Sequence, residues 1–278
     1  SLHDALPISQ LFHTNTYRYS DSMDEYAAAL IYGAPAHAVR LPDRIPRICL
    51  AYRGFDPGLE CAITLLPSAY AETHDTAGRP RRIPGASEVL APGIKSRYLR
   101  KLGVPEDKKI AYSVGLFCGS DEKYPAELVD RLAQTLPNDT RLLLTQNKTL
   151  RKYKGHPRLW AVPVMLESTL KGIHMSDVVV YANAPGYFTD YGRTCIEALA
   201  AKRPVICENR GAPGAALVDG VHALMFDAYD EVVGKIEQLR NAPDMAAGLA
   251  ATGQVFASWH DISNQAGAIK GILHSLGA

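Results

Sequence analysis

The chain has 278 residues, of which 47% are hydrophobic and 21% charged, and its formal net charge is +1. That length favours two domains over one, and the near-neutral charge gives no reason to expect nucleic acid as a partner. No apolar run reaches the roughly 18 residues that a membrane-spanning helix needs.

The first hundred residues are irregular. Eight prolines between positions 35 and 92 interrupt the pattern and leave two predicted strands, at 48–52 and 61–65. There is no initiator Met, and residues 1–9 resemble a translated sequencing adapter, so they are left out of the fold prediction. We expect residues 1–105 to be a truncated N-terminal, acceptor-side domain, with a small native cap as the alternative.

Beyond residue 105, strand-like and helix-like segments alternate. Strands are predicted at 110–114, 141–145, 159–164, 177–181, 204–207 and 223–226. Helices are predicted near 124–134, 167–174, 193–201, 231–240 and 244–258, with a Gly/Pro-rich loop at 211–214. Such alternation is typical of an α/β, Rossmann-like domain in which helices cover both faces of a parallel sheet. Residues 106–278 are predicted to form it.

Two loops follow predicted strands at positions where open parallel sheets bind ligands. The first runs from Gly115 to Ser120, ahead of Lys123, and the second from 182 to 192, ahead of the helix with Glu197. Neither has the G-x-G-x-x-G or Walker spacing, so a dinucleotide dehydrogenase or a nucleoside triphosphatase has little support.

Residues 189–206, TDYGRTCIEALAAKRPVI, carry the most specific pattern in the chain. They resemble the E-G-F-G-x-x-x-x-E-A-x-A-x-G-x-P-V signature of retaining GT-B glycosyltransferases. Residues 91–94 with 102–105, 211–226 and 256–259 are similar to further passages of that family, so the resemblance covers about residues 90–278. It implies a GT-B-like fold and transfer of a sugar from a nucleotide-diphosphate-sugar donor to an unknown acceptor.

The signature places a predicted donor site on the second loop. Gly192 lets the backbone approach a diphosphate, and the N–H groups of Arg193 and Thr194 can bind phosphate oxygens. By the resemblance, the Glu197 carboxylate accepts hydrogen bonds from the ribose hydroxyls, whereas the bland alternative is an ordinary first-turn glutamate. Gly115 and Tyr191 complete the predicted donor-binding set.

The sequence departs from the family's pattern at three polar positions, of which one lies in the signature. Thr189 replaces the first glutamate, which leaves Asp190 as the candidate acid. Leu116 stands where an arginine is usual, which leaves Lys123 as the candidate phosphate-neutralising cation, and Ala215 replaces a further glutamate. These losses keep open a non-catalytic nucleotide-sugar-binding or scaffold protein, and a sugar-nucleotide epimerase is another alternative. A glycogen-type phosphorylase is disfavoured, because this sequence has no recognisable pyridoxal-phosphate lysine context.

The remaining expectations concern partners and location. No cluster has metal-ligand spacing, so no metal is predicted and no cofactor is expected besides the donor. The five cysteines are scattered without a C-x-x-C pair, which fits a cytoplasmic protein. The basic segment 79–101, with Ile94 on the apolar face of a predicted short helix, has two interpretations: peripheral membrane contact, or a solvated surface beside a hinge.

Overall fold

The computed structural model describes residues 29–32, 47–50, 63–66, 74, 87–89, 93–94, 112–145, 149–153, 155–162 and 166–275. Its N-terminal part contains four strands that pair in parallel in chain order: β1 Ala29–Tyr32, β2 Arg47–Leu50, β3 Ile63–Leu66 and β4 Ser87–Val89. Two of them, β1 and β4, were not predicted from the sequence. The adapter-like segment 1–9 lies outside the described residues, and the truncated acceptor-side domain stays a prediction.

The second sheet has six parallel strands. They are β5 Tyr112–Leu116, β6 Thr140–Thr145, β7 Leu159–Val162, β8 Val178–Tyr181, β9 Val205–Glu208 and β10 Leu224–Phe226. The helices around it are α1 Ala126–Thr135, α2 Leu166–Met175, α3 Arg193–Ala200, α4 Gly211–Ala216, α5 Glu231–Asn241, α6 Pro243–Ser258 and α7 Ile262–Ser275. Short 3-10 helices occupy Asp121–Lys123 and Thr149–Tyr153.

The spatial order of this sheet is β7-β6-β5-β8-β9-β10. Strands β6 and β7 therefore lie on one side of β5, and β8, β9 and β10 lie on the other side, so the direction of strand addition reverses after β7. In an open α/β sheet such a reversal leaves a crevice outside the carboxyl ends of the two central strands. The fold thus directs attention to the loops that follow β5 and β8.

Apolar side chains cover both faces of the sheet. Along β8, Val178 and Val180 pack with α1 and α5 on one face, whereas Val179 and Tyr181 pack on the other face, where α3 lies. Strands buried on both faces need such continuous apolar runs, because successive side chains point to opposite sides. This is why the segment 177–181, DVVVY, was recognisable as a strand from the sequence.

Three local predictions are corrected by the structure. The segment 211–214 begins helix α4 instead of forming a loop, because Pro213 lies in the first turn, where a missing N–H costs no helix bond. β5 extends to Leu116, beyond the predicted end at 114. Ile94 is 1% exposed and pairs with Asp261 in an isolated parallel bridge, so it does not belong to an exposed apolar helix face.

Most of the basic segment 79–101 lies outside the described residues, and its membrane contact stays a prediction. Within the described ranges, no helix combines the length and the apolar character needed to cross a bilayer.

Candidate nucleotide site

The turn that joins β8 to α3 depends on Gly192. This residue precedes the helix in the left-handed region, at φ +74° and ψ +47°. A Cβ at this position would lie 2.2 Å from Pro213 Cγ and 3.2 Å from the Tyr181 hydroxyl. Both the backbone conformation and the close approach of α4 therefore require glycine. The close approach of this backbone to a diphosphate stays a prediction.

The first residues of α3 present backbone N–H groups at the carboxyl edge of the sheet. Its N-cap residue, Gly192, has no side chain with which to cap the helix, and the first internal bond is donated by the Cys195 N–H to the Gly192 carbonyl, at 2.9 Å. The N–H groups of Arg193 and Thr194 precede that bond, in the turn where helices leave donors without helical partners. The geometry suits an anionic ligand.

Glu197 lies one turn into α3 and is buried, with 4% of its surface exposed. Its Oε1 accepts a hydrogen bond from Arg193 Nε at 2.9 Å, an i,i+4 ion pair. Burial raises the pKa of the Glu197 carboxyl, and the neighbouring Arg193 acts in the opposite direction. The interpretation as an ordinary first-turn glutamate is wrong, because no acidic residue lies in the first turn of α3 and the Glu197 carboxylate is buried.

The residues before Gly192 are tied into the same turn. The Gly192 N–H donates to Thr189 Oγ1 at 3.2 Å, and the Thr189 carbonyl accepts from the Ala212 N–H at 2.8 Å. Asp190 is buried beside it, at 8% exposure. Thr189 thus holds the loop against α4, which gives it a structural role in place of the missing acid.

Tyr191 is buried in the same loop and contacts His260. Its hydroxyl shares a 3.2 Å hydrogen bond with His260 Nδ1, and the two rings lie 5.7 Å apart. Burial raises the pKa of the Tyr191 hydroxyl and lowers that of the His260 imidazole. Tyr191 therefore contacts the turn between α6 and α7, and its place in the donor-binding set stays a prediction.

The β5 side contributes two predicted residues in different ways. Gly115 lies inside β5, where a Cβ would come within 2.3 Å of Ser176 Oγ and 2.5 Å of the Phe117 ring, so packing accounts for the glycine. Lys123 lies in the loop beyond the strand. Its carbonyl accepts from the Ala184 N–H at 2.9 Å, and its ammonium lies 5.0 Å from the centre of the Tyr187 ring. Lys123 thus connects the loops on the two sides of the crevice.

One polar cluster at the same edge was missed by sequence reasoning. Glu208, the last residue of β9, is 3% exposed; it accepts the Asn183 N–H at 3.1 Å and forms an ion pair with Arg210. Arg210 also donates to the Asn183 carbonyl at 3.3 Å, and its guanidinium lies 5.5 Å from the Phe188 ring. The sequence signal was Glu-x-Arg directly after the predicted strand 204–207, because charged residues there lie at the carboxyl end of that strand.

No protein-family model and no curated protein matches the sequence. Many solved structures do resemble this chain. HepE of Anabaena in complex with UDP and glucose superposes with a TM-score of 0.67 at 16% identity, covering 84% of this chain and 72% of HepE. A glycosyltransferase from Rickettsia africae gives 0.69 at 12% identity, covering 84% and 71%. Sucrose-phosphate synthase of Thermosynechococcus elongatus gives 0.68 at 15%, covering 91% and 75%.

The fold is that of the GT-B glycosyltransferases. The prediction of a GT-B-like, parallel-sheet α/β fold is therefore confirmed. At these identities the likeness concerns the fold, and function has to be argued from the site itself. The carboxyl ends of β5, β8 and β9 share one edge of this sheet, where Lys123 lies in the short helix after β5, Arg193 and Glu197 lie in α3 after β8, and Glu208 ends β9.

Proposed function

We propose that the chain binds a nucleotide-diphosphate sugar at the carboxyl edge of β5, β8 and β9 and transfers its sugar to an acceptor. The observation that carries this proposal is the start of α3, where the N-cap residue Gly192 provides no side-chain cap and the first N–H groups lie one turn from the buried carboxylate of Glu197. A diphosphate matches the N–H groups, and a ribose diol matches the carboxylate. The diphosphate and the ribose of one nucleotide would thus bind to the N–H groups and to the carboxylate of the same helix.

The proposed chemistry is stabilisation of the leaving nucleoside diphosphate. Negative charge develops on that group as the bond to the sugar breaks, and preorganised donors lower the barrier most when they face such charge. The N–H groups of Arg193 and Thr194 and the ammonium of Lys123 are the proposed donors. Asp190 is the proposed acid beside the sugar, in the place of the glutamate that Thr189 replaces.

Residues 106–278 are the proposed donor-binding domain and residues 1–105 the proposed acceptor-side domain. The uridine nucleotides are the first ligands to test, because HepE was solved with UDP and with UDP-glucose.

We expect a nucleoside diphosphate to bind even where sugar transfer is absent, because the proposed diphosphate and ribose contacts all lie beyond residue 105. The measurement is isothermal titration with UDP, GDP and ADP, accompanied by circular dichroism to establish folding. Glu197→Ala should weaken binding of the preferred nucleotide about ten- to a hundredfold, since it removes a charge-assisted acceptor. A folded protein that binds none of the three would contradict the proposed function.

A second function, nucleotide-sugar binding without transfer, is favoured by Thr189 and Leu116. The Thr189 hydroxyl is engaged by the Gly192 N–H, and Leu116 is fully buried among apolar side chains. The polar groups of the family signature are thus replaced by groups that stabilise the fold.

Thr189→Glu distinguishes the two functions. In a catalyst this change supplies a carboxylate next to the donor sugar, so hydrolysis or transfer of the bound nucleotide sugar should increase while nucleotide affinity changes little. Release of nucleoside diphosphate is the assay, with Thr189→Gln as the uncharged control of equal length. Absence of turnover in wild type and in both variants, with affinity retained, would favour the binding protein.

A further inference from the structure

The Arg193 guanidinium lies near both the proposed phosphate position and the Glu197 carboxylate. It belongs to the first residue of α3, beside the N–H groups proposed to bind phosphate, and its side chain is 54% exposed. In the structure it reaches back along the helix to Glu197, whose side chain is 6% exposed. The pair is joined by a single hydrogen bond, from Nε to Oε1.

This single bond leaves most of the acceptor capacity of Glu197 unused. An ionised carboxylate offers about four lone-pair sites, and a buried one is stable only when it is paired and hydrogen-bonded. Among the hydrogen bonds recorded for the described residues, the Glu197 carboxylate accepts only that of Arg193. A diol with two adjacent hydroxyls would supply the donors that this carboxylate still lacks.

Cations elsewhere along this edge are held by other contacts. Arg210 is bound by the Glu208 carboxylate and by the Asn183 carbonyl, and Lys123 lies over the Tyr187 ring. Position 116, where the family signature has arginine, carries a buried leucine. Arg193 is half-exposed and held by one hydrogen bond, so its guanidinium is free to turn toward an incoming anion once other donors replace it on Glu197.

We propose that Arg193 exchanges partners when a nucleoside diphosphate binds: its guanidinium leaves Glu197 for the diphosphate, and the ribose hydroxyls replace it on the carboxylate. This inference rests on the proposed function, because it uses the same donor site. The exchange couples the two halves of the ligand. A nucleoside alone has to break the Arg193–Glu197 pair without offering the guanidinium a new partner, and a diphosphate alone leaves the buried carboxylate unpaired.

The test is a set of titrations with UDP, uridine and inorganic pyrophosphate against wild type, Arg193→Met and Glu197→Gln. Arg193→Met should weaken UDP binding about ten- to a hundredfold through loss of a charge-assisted bond, while uridine binds as well as to wild type or more tightly. Glu197→Gln should weaken uridine binding but strengthen pyrophosphate binding, because the guanidinium is released from its carboxylate.

Arg131→Met is the matched control. Arg131 forms an i,i+4 pair with Glu127 on the exposed side of α1, with 4.0 Å between the charged atoms, so its loss should leave all three affinities unchanged. Opposite effects of Glu197→Gln on uridine and pyrophosphate are the decisive result. Unchanged UDP affinity in Arg193→Met, or weaker pyrophosphate binding in Glu197→Gln, would overturn the exchange. Wild type that binds none of UDP, GDP and ADP would instead overturn the proposed function.

Discussion

Two glycines of one loop show how much a single Cβ matters. Gly186 and Gly192 both lie between β8 and α3 with positive φ, at +77° and +74°. A Cβ on Gly186 would meet nothing within 4 Å, whereas one on Gly192 would overlap Pro213 of α4. The two positions therefore share the backbone strain of a left-handed residue but differ in packing.

This contrast predicts different losses of stability. Gly186→Ala should lower the free energy of unfolding by about 1 to 2 kcal/mol, the cost of a left-handed alanine. Gly192→Ala should lower it by about 2 to 5 kcal/mol, because overpacking against Pro213 adds to that cost. Denaturant unfolding of both variants measures the difference. Equal losses would show that α4 moves aside freely.

For single residues, the sequence was most informative where position along the backbone determines the residue's place in the structure. The motif placed Gly192 and Glu197 correctly relative to the helix start, because helix position follows from spacing. It could not give the partner of Glu197, since the Arg193 bond depends on the side-chain conformation of an arginine with many rotamers. Nor could it show that packing inside β5 requires Gly115, because Ser176 comes from a distant segment.

At the scale of elements, the turn between α6 and α7 joins two remote parts of the chain. The Ile94 N–H donates to the His260 carbonyl at 2.8 Å, and the Ile262 N–H donates to the Ile94 carbonyl at 2.9 Å. The His260 ring lies between Tyr191 and Phe256, with centroid distances of 5.7 and 5.2 Å. This turn therefore connects the loop before α3 with the segment around Ile94.

His260 should make this connection sensitive to acid. Burial lowers the pKa of its imidazole, so the unfolded chain takes up the proton at a higher pH than the folded protein does. The stabilising contribution is complete above the unfolded value of about 6.5 and declines as the pH falls below it. We expect the stability difference between wild type and His260→Gln to shrink from pH 7.5 to pH 5.5 in denaturant titrations. His274→Gln, which removes an exposed imidazole of α7, is the control; an equal shrinkage there would contradict the assignment to His260.

Elements with strong periodicity were predicted well, and those fixed by tertiary contacts were not. All six strands of the second sheet were located to within two residues at their starts and ends. The strands β1 and β4 were missed, because short segments among prolines carry little pattern of their own. Helix α4 was missed because Gly and Pro disfavour helices locally, whereas the bond from the Ala212 N–H to the Thr189 carbonyl supports its first turn.

At the scale of the whole molecule, the sequence indicated the parallel sheet but not the complete order of its strands. Alternating strands and helices imply parallel pairing, and the right-handedness of strand–helix–strand crossovers limits the possible strand orders. The sequence did not show whether β8 pairs with β5 or with β7. That choice depends on side-chain packing across the entire sheet.

The pairing of β5 with β8 also bears on how the molecule is assembled. The Ser113 N–H donates to Asp177 Oδ2 at 2.8 Å across 64 residues of sequence, and Val114 is paired with Val178. Contacts so distant along the chain close slowly, because the intervening loop loses entropy before the contact is made. During synthesis, a chain that ended before Val178 would have α1 and the β5–β6–β7 half of the sheet but no crevice. The proposed nucleotide site would therefore form late, only after the second half of the sheet had joined the first.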